Sequence, residues 1–223
     1  MLYFSNPVRA ARPAMIRGLL GCIVTPGQGN VIPPGSVWFA DNGRFSGKKD
    51  DEGRPLVGDR APRWKGDLWF EAWLARPEFL SRRSDCRFVV APDVPFDHEA
   101  TMSRAMPWLY RIRAMGYPAA LTIQNGIKSS DRLPWANFDV MFIAGDMGFK
   151  HGLMAAELTR QAVTRGIPVH WGRGNALKRI RQAHGMGCSS MDGGFLRYGP
   201  DSNLPELLGW LSDLDRNGAQ TFL

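Results

Sequence analysis

Hydrophobic residues along this chain fall into short runs that keep ending the same way. Val37-Trp38-Phe39-Ala40 stops at Asp41-Asn42-Gly43, and Phe88-Val89-Val90-Ala91 at Pro92-Asp93. Leu121-Thr122-Ile123 stops at Gln124-Asn125-Gly126, and Cys188-Ser189-Ser190-Met191 at Asp192-Gly193-Gly194. Each run is too short for a helix and is closed by a polar side chain beside a loop former, which reads as a buried strand. Extended to the whole chain, the pattern predicts strands at 1–5, 19–25, 36–40, 87–91, 119–124, 140–144, 168–171 and 188–192. Helical spacing occupies 7–18, 99–115, 153–165, 176–186 and 204–214. Trp64, Trp69, Phe70, Trp73 and Leu74 open a further amphipathic helix. Gly116, Gly166 and Gly187 stand where helix C-caps prefer glycine.

Strands alternating with helices make parallel βα units. Eight of them predict an α/β fold, a compact TIM-like (β/α)8 barrel. A doubly wound open sheet is the alternative, because the link between the second and third strands holds Gly29, Pro33, Pro34 and Gly35 and no helical pattern. A chain of 223 residues suits one barrel domain over 1–223. A charged insertion interrupts it near 44–66. Lys48, Lys49, Arg54, Arg60, Arg63 and Lys65 read there either as a solvated loop or as a phosphate-contacting flap.

Composition narrows the function classes. Hydrophobic residues make up 44% and charged residues 22%, a globular balance. Lys and Arg number 28 against 21 Asp and Glu, a net charge of +7 that suits a polyanion such as nucleic acid and equally fits a basic enzyme. Cys22, Cys86 and Cys188 are too scattered for a disulfide framework or a zinc cluster, so a reducing, cytoplasmic setting is expected. No run approaches the roughly 20 apolar residues of a membrane span. Pro7 and Arg9 follow the short apolar start too closely for a cleavable signal. The expectation is a soluble protein with no membrane partner.

In a parallel barrel the carboxyl ends of the strands converge on one face. That would gather Asp41, Asp93, Gln124, Gly145 and Asp192. Three carboxylates in one cleft repel one another, yet a pair can divide labour, one attacking a sugar carbon and the other managing protons. Asp192 reads as the nucleophile and Asp41 as its acid/base partner. Taken singly, each strand-end Asp is also a helix cap or turn former. Gly172-Arg173-Gly174 opens a helix and suits phosphate. Lys178, Arg179 and Arg181 on the same helix read either as a solvated face or as a nucleic-acid track, the track being favoured because 173–191 contains no Asp or Glu. His98, His151, His170 and His184 lack metal-ligand spacing as a set and read as structural or surface residues, with His170 placed to line the pocket.

The order of these segments resembles the tRNA-guanine transglycosylase superfamily, and within it the small DNA-modifying branch of bacteriophages and 7-deazaguanine DNA-modification clusters. Ala40-Asp41-Asn42-Gly43-Arg44-Phe45, Ala91-Pro92-Asp93, Ile123-Gln124-Asn125-Gly126, Phe142-Ile143-Ala144-Gly145, Trp171-Gly172-Arg173-Gly174 and Gly187-Cys188-Ser189-Ser190-Met191-Asp192 carry the resemblance, over about two thirds of the chain. It implies exchange of guanine for a 7-deazaguanine, such as 7-cyano-7-deazaguanine, through a covalent glycosyl-aspartate at Asp192. Asp41 would transfer protons. Asp93, Gln124 and the Gly145 backbone would read the base edge, and Phe45 and Trp171 would clamp its faces. Arg44 replaces a glycine of the tRNA enzymes and reads either as altering the pocket floor or as a candidate phosphate contact. Those enzymes carry a zinc site of three cysteines and a histidine after the nucleophile, and here no Cys or His follows Cys188. The resemblance therefore implies DNA as polymer, no metal or other cofactor, accessory modification proteins as partners, and a cytoplasmic setting, the host's if phage-encoded. Exchange on tRNA, a non-catalytic nucleic-acid or nucleobase-binding barrel, and a glycoside hydrolase using Asp41 and Asp192 are the alternatives.

Overall fold

The computed structural model describes residues 1–130 and 133–220, with main chain only at 215 and 217–220. The domain expectation also covers 131, 132 and 221–223, which lie outside the described residues. The strands are β1 (Leu2–Ser5), β2 (Gly21–Val24), β3 (Trp38–Ala40), β4 (Phe45–Lys49), β5 (Pro55–Val57), β6 (Cys86–Val90), β7 (Ala119–Ile123), β8 (Val140–Ile143), β9 (Val169–Trp171) and β10 (Ser190–Asp192). Eight of them fall where the hydrophobic runs predict. They pair in parallel in the order β1-β10-β9-β8-β7-β6-β3-β2, and β1 pairs with both β10 and β2, so the sheet closes on itself. Closure rules out the doubly wound sheet.

The helices are α1 (Arg12–Ile16), α2 (Asp67–Leu74), α3 (Pro77–Leu80), α4 (His98–Ala114), α5 (Met147–His151), α6 (Leu153–Thr164), α7 (Leu177–Gly185) and α8 (Pro200–Gln220). No helix joins β2 to β3, as the turn-rich link foretells. The helix expected over 7–18 shrinks to a 3-10 turn at Arg9–Ala11 followed by α1. The charged insertion is built around an antiparallel hairpin, β4 with β5, whose connection is held by Arg54 on Asp50 (2.8 Å) and Glu52 (2.7 Å). Among the described residues no helix is long and apolar enough to cross a membrane.

Side chains on a strand alternate between its two faces, and the alternation sorts each barrel strand. Trp38, Val89, Leu121, Met141, Trp171 and Met191 face outward and pack beneath the helices. Phe4, Phe39, Phe88 and Phe142 face inward. Phe39 stacks on Phe88 at 4.6 Å, Phe4 meets Phe39 edge-on at 4.9 Å, and the His170 ring lies 4.6 Å from Phe142. Burying each phenyl ring stabilises the barrel by roughly 1.5–3 kcal/mol. The layer also dictates a glycine. A Cβ on Gly21 would lie 2.2 Å from Cδ1 of Phe4.

Candidate active site

The same alternation carries side chains into the mouth of the barrel. Two residues beyond an inward position comes the next inward position, so Phe39 leads to Asp41, Thr122 to Gln124, His170 to Gly172 and Ser190 to Asp192. These ends line a cavity of about 170 Å³. Asp41, Phe45, Asp93, Gln124, Gly145, Arg173 and Asp192 all border it, together with Asn42, Phe96, Thr122 and Phe142. A larger cavity of about 710 Å³ lies outside the barrel, against the β2–β3 link and α2–α3. Glu78 is its one carboxylate, and none of the strand-end polar groups reaches it.

Asp192 is held by one oxygen. Its Oδ1 accepts the main-chain N–H of Arg173 at 2.7 Å and lies 3.5 Å from Nε2 of His170. Among the described residues, no hydrogen bond goes to Oδ2. The pair beneath is His170, fully buried, and Ser190, whose Oγ is 2.8 Å from His170 Nδ1. A carboxylate opposite Nε2 favours the tautomer that carries its proton there, leaving Nδ1 to accept from the Ser190 hydroxyl. Burial holds the imidazole below its ordinary pKa, with nearby Asp192 pulling the other way.

Asp41 behaves differently. Burial, then the charges of Asp192 and Asp93, push its pKa up from 3.8 to about 7, against hydrogen bonds from the N–H groups of Gly43 and Asn42. Near neutrality it can therefore hold or release a proton. Asp93 is raised chiefly by burial, opposed by hydrogen bonds from two amides. Its Oδ1 accepts from Asn42 Nδ2 at 3.0 Å and its Oδ2 from Gln124 Nε2 at 2.6 Å. Gln124 in turn accepts the N–H of Phe96 at 3.1 Å, and Phe96 has φ 72°. Thr122 Oγ1, buried on the pocket wall, has no hydrogen-bond partner among the described residues. Arg173 lays its guanidinium 4.1 Å over the Phe45 ring and donates to the Gly145 carbonyl at 3.1 Å, tying the hairpin to the rim.

Several expected residues stand elsewhere. Trp171 cannot clamp a ligand in this pocket, because His170 takes the inward position of β9 and turns Trp171 into the outer core, fully buried. Arg44 is not a phosphate contact either. It is 1% exposed, donates through Nε to the Asp93 carbonyl, pairs with Asp59 at 2.7 Å and lies 4.7 Å over Trp64. Lys178 and Arg181 are exposed on α7 and do not line the cavity. The residues missed are Asn42, Thr122, Phe96 and Ser190, the partner of His170; His170 itself lies beneath the pocket rather than on its lining. Period-two counting from Asp192 and Gln124 would have found Ser190 and Thr122. Among the described residues, no group of three or more His, Cys, Asp or Glu side chains is placed to hold a metal ion.

The sequence matches no protein-family model and no curated protein. Among solved structures it is similar to phosphoribosyl anthranilate isomerase from Thermus thermophilus, with a TM-score of 0.51 over 96% of this chain and 98% of that one. The fold is a TIM barrel. At 14% identity the likeness speaks for the fold alone, and the carboxyl-end mouth is where that fold places its active sites.

Proposed function

We propose that this chain is a DNA-guanine transglycosylase, exchanging a guanine in DNA for a 7-deazaguanine base such as 7-cyano-7-deazaguanine. The observation that carries the reading is the different anchoring of two carboxyl groups in one small pocket. Asp192 is anchored through Oδ1, which leaves Oδ2 as the attacking atom, while Asp41 is poised near neutrality to carry a proton. A carboxylate anchored through one oxygen, beside a second carboxyl group able to hold a proton near neutrality, suits a nucleophile and its acid/base partner. A cavity of about 170 Å³ is below the usual range for drug-sized ligands and suits a single flat base.

In this mechanism Asp192 Oδ2 bonds to the sugar C1′ as the bond from C1′ to guanine N9 breaks. The electron pair goes to the leaving base, which takes a proton from Asp41. The incoming 7-deazaguanine returns a proton to Asp41, its nitrogen attacks C1′, and the Asp192 carboxylate leaves. Asp93, Gln124 and the Gly145 backbone border the base, Thr122 offers it an unfilled hydroxyl, and Phe45 stacks on one face. No step calls on a metal or cofactor. The target nucleotide must leave its stack to enter. The net charge of +7 and the basic segment at 173–191 support a polynucleotide partner, and the resemblance to the phage branch supports DNA over tRNA.

Labelled guanine offered with DNA and with bulk tRNA, 7-cyano-7-deazaguanine as competitor, tests the reading in wild type and Asp192→Asn. Label entering DNA and lost in the variant is the expected result. Label entering tRNA alone would keep the chemistry and change the polymer. Net loss of base without replacement would make the protein a glycoside hydrolase. Unchanged exchange in Asp192→Asn would sink the mechanism.

A further inference from the structure

A second cavity, about 410 Å³, adjoins the base pocket and shares Phe96, Gly145 and Arg173 with it. Its wall carries Lys150, Arg179 and the Asn175 amide as well. Lys150 is the unusual member. It is 1% exposed, its Nζ donates to the Gly172 carbonyl at 2.8 Å and lies 5.8 Å from the centre of the Trp171 ring. No carboxylate among the described residues stands within ion-pair reach of it. An ammonium has three donors, and the Gly172 carbonyl takes one. A buried cation without a counter-charge is costly. Burial first, then Arg173 and Arg179, lower its pKa to about 8.

Asp192 and, least of all, Asp146 on this wall pull the other way without restoring the ordinary lysine pKa. Asp146 accepts from the Phe149 N–H through Oδ1 and from the Asn125 amide through Oδ2, both at 2.8 Å. Like charges crowded in a cavity need an anion, and this cavity shares with the base pocket Arg173, the residue whose main-chain N–H holds Asp192. Phosphates on either side of a nucleotide sit about one sugar away from its C1′. Because the two cavities adjoin, a nucleotide presenting C1′ to Asp192 can bring a flanking phosphate towards this wall.

We infer that the cavity binds a phosphate group, the phosphodiester flanking the nucleotide whose base enters the pocket, with Lys150, Arg173 and Arg179 as its ligands. The inference rests on the exchange reading for its source of phosphate. It is separate from the exposed Lys178 and Arg181 face.

The test uses a fluorescent single-stranded deoxyoligonucleotide containing one guanine. A second copy carries neutral methylphosphonate linkages on both sides of that guanine, and a third carries them several nucleotides away. Wild type is expected to bind the flanking-neutral strand at least about tenfold more weakly than either other strand, in line with lost charge-assisted hydrogen bonds. Arg179→Gln and Lys150→Met should bring that ratio towards one. Arg179 is only half-buried, so its variant carries the test if Lys150→Met fails to fold. A ratio near one in wild type, or one retained in the folded variants, overturns the site. Inorganic phosphate competing at low concentration, while the strands show no linkage preference, also overturns it, in favour of a small phosphorylated ligand. Labelled-guanine exchange on the same strands separates the two claims. Exchange without linkage preference removes the phosphate site alone, and linkage preference without exchange removes the exchange reading alone.

Discussion

Arg173 adopts φ 64°, and in that conformation its main-chain N–H reaches Oδ1 of Asp192 at 2.7 Å. Left-handed backbone costs a residue with a Cβ about 1–2 kcal/mol, so the side chain has to offset it, here on Phe45 and the Gly145 carbonyl. Arg173→Gly should keep the anchor on Asp192, with stability unchanged or slightly higher and KM for DNA raised about tenfold or more. Arg173→Val keeps the strain and loses the contacts, and should unfold about 1–3 kcal/mol more easily. Thermal unfolding alongside steady-state kinetics reads both.

The raised pKa of Asp41 gives stability a pH slope of known sign. The unfolded chain releases this proton near 3.8 and the folded chain near 7. Between these values the folded state holds the extra proton, so this group's contribution to stability falls as pH rises. Asp41→Asn should match wild type near pH 4 and exceed it by roughly 3–4 kcal/mol near pH 8, on the scale of 1.36 kcal/mol per pKa unit. Base exchange should fall in the same variant by about a hundredfold or more. Denaturant titrations across that pH range check the first claim, and a variant that merely tracks wild type would refute it.

Arg44 is a structural cation, whereas Lys178 and Arg181 are exposed. Arg44→Ala leaves the Asp93 carbonyl without its guanidinium and opens space against Trp64, and should cost about 2–4 kcal/mol. It should leave the salt slope of DNA binding unchanged. Lys178→Ala and Arg181→Ala should do the reverse, each lowering that slope by about 1 if the residue meets a phosphate. Binding measured from low to moderate salt separates the two behaviours.

On the exchange reading, His170 is a positioning residue that acts through Asp192, 3.5 Å away. His170→Phe fits among the phenyl rings but leaves Oδ1 with the Arg173 N–H alone. The expected result is stability within about 2 kcal/mol of wild type, kcat down roughly 10–100-fold, and KM for the free base little changed. Wild type should also lose stability as pH falls below 6.5, because the unfolded imidazole takes a proton that the buried one resists. The variant should lack that acid sensitivity. A variant with full kcat would reduce the residue to packing.

Much of the barrel can be read from the chain because each buried run has a clear stop. Asp41, Gln124 and Asp192 follow directly from those stops, and they do converge. The errors have equally local causes. β9 is three residues long and buried on both sides, so hydrophobicity cannot say whether His170 or Trp171 looks inward. Arg44 sits in a charged stretch, and nothing in the run marks that its guanidinium is swallowed by Trp64 and the Asp93 carbonyl. The hairpin escaped because the outer part of β4, Gly47-Lys48-Lys49, is solvated and shows no alternation. Lys150 lies on a helix of five residues, too short to leave a period.

The layer of phenyl rings at Phe4, Phe39, Phe88 and Phe142 fills the barrel beneath the small pocket where Asp192 and Asp41 stand. On the exchange reading, traffic must then run in single file. The departing guanine has to clear the entrance before its replacement can approach the sugar, because the chamber holds one base at a time. Initial rates against one base at several fixed levels of polymer should therefore give parallel lines in double-reciprocal form. Free guanine should hold the queue back by competing with the incoming base.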